Sequence, residues 1–215
     1  MAHHHPDEGF LLDYATGVMA EPLAVVIACH LTLCPCCRTT VAQMEHVGGA
    51  LLERVEGEPL EPDCFEAVMA RIAQEPTLCP AACRDAATSG DLPRPLMACL
   101  SGCSIGRTWQ RPFGIEMQGL PCKVPGHHLR LLRIQPGRAV PRHSHDGIEL
   151  AIVLKGAFSD ASGTYGRGDI ACADGSVDHR QAAEPGEPCV CLVATTGRLT
   201  FTGPFGPLLN LTLRL

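Results

Sequence analysis

From Phe10 to Leu52 the apolar positions recur every three to four residues, most clearly at Leu23, Val26, Ile27, Leu31 and Cys34, with His30 on the same stripe. A first helix is predicted from Asp7 to Gly17, where glycine ends it. A second starts at Glu21-Pro22, since proline suits a first turn, and stops near Leu33 because Pro35 disfavours a helical Cys34. Pro35 in turn opens a third helix, running to about Leu52. A fourth is signalled by Asp63 with Glu66 three residues on, as in a capping box, followed by Phe65, Val68, Met69 and Ile72 on one face. Between Glu75 and Arg111 the period fades while Pro76, Pro80, Gly90, Pro93, Pro95 and Gly102 accumulate, which marks a linker. From Trp109 onward the pattern is that of strands: His128 to Gln135, Glu149 to Leu154, Asp169 to Ala173 and Val190 to Thr195, each bounded by Gly, Pro or Asp turns. With no helical stretch between them, these strands predict a sandwich or barrel. The expected organisation is therefore two domains: an all-α four-helix module over 1–75, a linker over 76–110 and an all-β domain over 111–215.

At 215 residues and 46% hydrophobic, the chain can bury a core in one large domain or two modest ones. No apolar run reaches the length of a membrane span. The N-terminus, Met-Ala-His-His-His-Pro-Asp-Glu, has neither the apolar core nor the cleavage site of a secretory signal, so the expected location is the cytoplasm. In that reducing compartment 13 cysteines, an odd number, read as thiols or metal ligands rather than as a disulfide framework. The net charge of −6 is unevenly spread, because residues 1–75 carry 12 acids against Arg38, Arg54 and Arg71, leaving that third at −9 and the rest at +3. An acidic module repels nucleic acid and favours a basic partner surface, such as a protein that itself binds DNA or RNA polymerase. The same sign would also keep a small helical domain soluble, so charge alone does not choose.

Chemistry narrows the choice. At the junction of the second and third predicted helices lies His30-Leu-Thr-Leu-Cys34-Pro-Cys36-Cys37. His30 sits one turn before the helix end and Cys34-x-x-Cys37 wraps the bend, so all three can converge on one ion. Thiolate and imidazole favour tetrahedral zinc, which needs a fourth ligand, and His3, His4 or His5 can supply it. The three histidines could instead be the remnant of a tag, in which case water or another residue completes the shell. A redox Cys-x-x-Cys belongs after a strand in a βαβ unit, and the helical context argues against it. Cys79 with Cys83, and Cys99 with Cys103, are each four apart rather than at the spacing of a zinc knuckle, and they are left out of the site.

In the second half, Gly137 and Gly156 bracket His143, His145 and Glu149. Side chains two apart on a strand share a face, so His143 and His145 project to one side while Ser144 points away. The run Gly-x5-His-x-His-x3-Glu-x6-Gly resembles the first signature motif of the cupin family of small β-barrels at every fixed position. That resemblance implies a fourth ligand in a second motif after another glycine, which Gly168 and His179 match in spacing. Asp174, Ser176 and Ala183 depart from the motif's Pro, Gly and Asn, at its turn rather than at its ligand. Cys189-x-Cys191 repeats the same-face geometry on a late strand, as core packing or as a candidate reactive pair.

The run His-x3-Cys-x2-Cys with an upstream histidine resembles the zinc-binding anti-sigma domain, whose spacing selects His5 and leaves Cys36 outside the pattern. Such a domain followed by a cupin resembles the ChrR anti-sigma factors over nearly the whole chain. The resemblance implies zinc in both domains, on His5, His30, Cys34 and Cys37 and on His143, His145, Glu149 and His179. It further implies no enzymatic activity, and an N-terminal domain that binds a group IV (extracytoplasmic-function) sigma factor one-to-one in the cytoplasm. The cupin would be required for release under oxidative stress such as singlet oxygen. The alternative is a cupin metalloenzyme, a dioxygenase or isomerase holding iron or manganese on the same four residues, with the helices as a dimerisation module.

Overall fold

A computed structural model describes residues 2–74, 92–100, 110, 114–204 and 206–212. Its first four helices are α1 (Glu8–Ala15), α2 (Glu21–Leu33), α3 (Pro35–Leu52) and α4 (Cys64–Gln74). The two prolines act as expected, opening α2 and α3. Cys34 between these helices is extended (φ −112°, ψ 102°), and the chain bends there by 117°. The Cys34 sulfur accepts the Cys37 N–H at 3.5 Å and so caps α3 as it turns. Helix α1 packs against α2 and α3, whereas α4 buries none of its side chains.

A fifth helix, α5 (Arg94–Leu100), lies within the stretch read as a linker, and its Leu96 and Leu100 are buried where α5 packs on α2. The i, i+4 spacing of those two leucines was hidden among Pro93 and Pro95. Cys79, Cys83 and Cys103 lie outside the described residues.

The second half holds β1 (Glu116–Leu120), β2 (His127–Ile134), β3 (His143–His145), β4 (Glu149–Lys155), β5 (Ala157–Asp160), β6 (Gly163–Gly166), β7 (Ile170–Ala173), β8 (Ala182–Ala183), β9 (Cys189–Thr196) and β10 (Leu199–Phe201). A last helix, α6 (Gly206–Thr212), follows the strands, an element that their pattern did not signal. The strands pair antiparallel into a five-stranded sheet in the order β1-β2-β9-β4-β7, a two-stranded sheet β10-β3 and a three-stranded sheet β6-β5-β8. Gly156, between β4 and β5, has φ 68°, and a Cβ there would come within 2.7 Å of the Pro188 carbonyl oxygen, so the second glycine of the histidine motif is required by both backbone and space.

The five-stranded sheet is covered on both faces, which explains why β4 is apolar at consecutive rather than alternate positions. Ala151 and Val153 face the barrel interior with Ile134, Cys191 and Val193. Leu150, Ile152 and Leu154 face outward and join Leu129, Leu131, Leu192 and Ala194 in one core with Val26 and Ile27 of α2. Helix α2 thus packs directly on β2, β4 and β9. Each fully buried aliphatic side chain in this seam contributes about 1.5–3 kcal/mol, so the helical module and the barrel are held together by core rather than by a tether. Among the described residues no single helix is long and apolar enough to cross a membrane.

Candidate metal centres

The bend between α2 and α3 gathers four side chains. The ligand atoms of His5, His30, Cys34 and Cys37 all lie within 4.8 Å of one another, with His5 Nδ1 at 3.4 Å from Cys34 Sγ and 3.3 Å from Cys37 Sγ. His30 is fully buried, and its Nδ1–H donates to the Gly168 carbonyl at 2.8 Å, which leaves Nε2 as a bare lone pair with no hydrogen-bond partner among the described residues. A buried, unpartnered imidazole nitrogen beside two sulfurs fits a soft or borderline cation. Burial, reinforced by the neighbouring Cys34, pushes the Cys37 thiol up to about 12, so a proton must leave as a metal enters.

His5 reaches the cluster because the preceding residues are tied to the barrel. The Asp169 carboxylate accepts the backbone N–H groups of His3 (2.5 Å) and His4 (3.1 Å) through one oxygen and that of Gly166 (2.8 Å) through the other. Burial works against this carboxylate, but those N–H groups outweigh it and hold its pKa below the usual carboxylate range. The Ile170 N–H donates to the His4 carbonyl at 3.2 Å, and the His4 ring lies 4.3 Å from that of Tyr165. Two of the four cluster residues are therefore oriented by adjacent residues of the barrel, Gly168 and Asp169. In the sequence Gly168 stands out only as a motif glycine, and Asp169, the first residue of a predicted strand, carries no signal of this role, since an acid at a strand's start looks like any solvated turn residue.

In the barrel, His143 and His145 point inward from β3, Glu149 opens β4, and His179 is brought in by reciprocal backbone hydrogen bonds with His143, both 3.0 Å. The Nε2 atoms of His145 and His143 lie 3.1 and 3.2 Å from that of His179, and Glu149 oxygens stand 3.7 Å from His145 and 3.6 Å from His179. All four ligand atoms fall within 4.8 Å. The His143 proton is held on the far side, where Nδ1–H donates to the Pro141 carbonyl at 2.8 Å. The separations match a first-row metal shell, in which ligands about 2 Å from the ion lie about 3 Å apart. Burial lowers His143 and His145 to about 4 and raises Glu149 to about 7. The imidazoles are thus already neutral donors at pH 7. The departures at Asp174 and Ser176 still build a turn, since Asp174 accepts the Ser176 N–H at 2.9 Å.

Cys189 and Cys191 are buried with sulfurs 3.4 Å apart, and the hydrogen bond between them, then burial, pushes the Cys191 thiol well above its ordinary range. In this state the pair is buried core packing, and Cys191 is not inclined to ionise.

Comparison with known proteins gives one consistent result. The family described as the ChrR Cupin-like domain matches residues 107–198. The chain is 35% identical over 199 residues to the anti-sigma-E factor ChrR of Cereibacter sphaeroides, covering 92% of each. Among solved structures it is similar to a chain of the complex of Rhodobacter sphaeroides SigE with the anti-sigma ChrR, with a TM-score of 0.77, 35% identity, and coverage of 91% of this chain and 99% of that one.

Proposed function

Because the chain belongs to the ChrR family of anti-sigma factors, at 35% identity over 92% of its length, we propose that it sequesters a group IV sigma factor one-to-one through its N-terminal domain, in the cytoplasm, and releases it under oxidative stress such as singlet oxygen. The family is one of regulators, so the barrel is read as a sensing domain rather than as an enzyme. The division of labour follows 1–75 as the sigma-binding module, 76–110 as a connection and 111–215 as the cupin.

The observation that carries this reading is the uncovered apolar face of α4. Phe65 is 71% exposed and Ile72 60%, with Val68 and Met69 about half exposed beside them, and Leu51 and Leu52 at the end of α3 are also bare. A helix with apolar residues at helical spacing and no side chain buried among the described residues offers a face to a partner. The acidic balance of residues 1–75, at −9, suits a basic one.

Zinc is the metal proposed for both clusters. His5, His30, Cys34 and Cys37 would hold one ion, fixing the bend between α2 and α3. His143, His145, Glu149 and His179 would hold the other, and a bound divalent ion there supplies positive charge inside the barrel.

The test is co-purification of the chain with its cognate sigma factor, followed by titration. Phe65→Asp and Met69→Asp should each weaken the complex by about 2 kcal/mol or more while zinc content and melting stay unchanged, as expected for truncated centres of an interface. Full retention of the complex by both variants would refute this assignment of the sigma-binding face.

A further inference from the structure

A cavity open at one end runs into the barrel beside the candidate metal cluster. Its walls include Ile115, Met117, Leu132, Val140 and Phe201, and its polar end is formed by Arg130, Glu149, Gln181 and Thr195. Arg130 projects inward from β2 among these apolar side chains. Its Nη1 donates to the Thr195 hydroxyl at 3.2 Å, and among the described residues no carboxylate forms an ion pair with it. Glu149, the acid nearest in the cavity, is turned to His145 and His179 at 3.7 and 3.6 Å and accepts from Gln181 at 3.4 Å. A guanidinium has five N–H donors in a planar fork that matches a carboxylate, and Glu149 offsets the Arg130 charge only at a distance, not through an ion pair that would occupy the fork. The cavity is thus apolar along its length, with the open Arg130 fork at its polar end.

We propose that this cavity binds a small amphipathic carboxylate, with the carboxylate on the Arg130 guanidinium and the hydrocarbon chain along the apolar wall; a medium-chain fatty acid is the simplest ligand of that class. The inference deepens the reading of the barrel as a sensing domain by naming what it takes up, since the ligand would share a wall, at His143 and Glu149, with the metal cluster.

The test is calorimetric titration of the full, zinc-loaded chain, without sigma, with three probes: decanoate, decanol and acetate. Decanoate should bind at least about tenfold more tightly than either decanol, which lacks the charge, or acetate, which lacks the chain. Arg130→Gln should reduce decanoate to the affinity of decanol and leave decanol unaltered. Equal binding of decanoate and decanol, no binding of decanoate, or unchanged decanoate affinity in a folded, zinc-loaded R130Q protein would each overturn the proposal. If R130Q does not fold, the order of the three probes on the natural chain decides by itself: decanoate ahead of both upholds the site, and any other order removes it. Because sigma is absent from the titration, failure here leaves the anti-sigma reading intact, and failure of that reading leaves this result intact.

Discussion

The two metal clusters use similar donors but are built in opposite ways. The barrel cluster draws on β3, β4 and the segment before β8, all within one domain, and its histidines are neutral and enclosed. The N-terminal cluster draws its ligands from an N-terminal arm and a helical bend, yet the residues that aim two of them, Gly168 and Asp169, belong to the barrel. One site is therefore an internal pin and the other lies on a seam. A metal held at the seam would fix the α2–α3 bend beside the very contacts that dock the helices on the sheet, which would give events in the barrel a short physical route to the helical module. Such coupling works only through a difference in interaction between the clamped and released states.

The largest effect expected is at the seam. Cys34→Ala or Cys37→Ala removes one of four donors, and N-terminal zinc retention against a chelator should fall more than about a hundredfold, with release of sigma. Cys36→Ala should be nearly silent, because that side chain is exposed and outside the cluster. Next, His143→Ala, His145→Ala, Glu149→Ala or His179→Ala should halve the zinc content by emptying the barrel, while the N-terminal ion is kept. Metal analysis showing loss from both sites would break the contrast between pin and seam.

Smaller effects sharpen it. Asp169→Ala leaves every proposed ligand in place but frees the arm, so N-terminal zinc should be held about tenfold less tightly, as for other residues that orient ligands. His5→Ala should cost more than His3→Ala or His4→Ala, whose rings are not in the cluster. A fragment ending near Gln74 lacks Gly168, Asp169 and the sheet that α2 packs on, and should show at least the Asp169→Ala weakening. Unchanged chelator competition in both would mean that the barrel contacts are incidental.

The subtlest contrast is in pH. In the seam site the Cys37 thiol, pushed up to about 12, must give up its proton on metal binding, so affinity should rise about tenfold per pH unit for that proton throughout pH 6–9. In the barrel His143 and His145, at about 4, are already neutral, burial lowers His179 too, and only Glu149, at about 7, has a proton to lose. Barrel affinity should therefore rise up to about pH 7 and level off above it. Parallel profiles for the two sites, after correction for the chelator, would contradict the assigned donor chemistry.

Much of this was legible in the chain because punctuation was strong where it mattered. Pro22 and Pro35 placed α2 and α3 at the residues where they begin, and the spacings around His30 and His143 marked both clusters. The docking of α2 was not legible, because a helix covered on one side by helices and on the other by a sheet has no polar stripe to betray it. Nor were β5 and β6, whose four residues each are too few to show a period. Arg130 and Asp169 escaped for the same physical reason: a single charged residue in or beside a strand looks solvent-facing until the fold shows what it faces.

In the proposed function the helices hold sigma and the barrel governs its release. The most direct measurement is transcription by the cognate sigma and core polymerase in the presence of the zinc-loaded full chain or its His143→Ala variant, before and after exposure to singlet oxygen. Both proteins should silence transcription at a one-to-one ratio, and exposure should restore it only with the natural chain. Transcription unaffected by the natural chain, or restored equally with the variant, would contradict the proposed function.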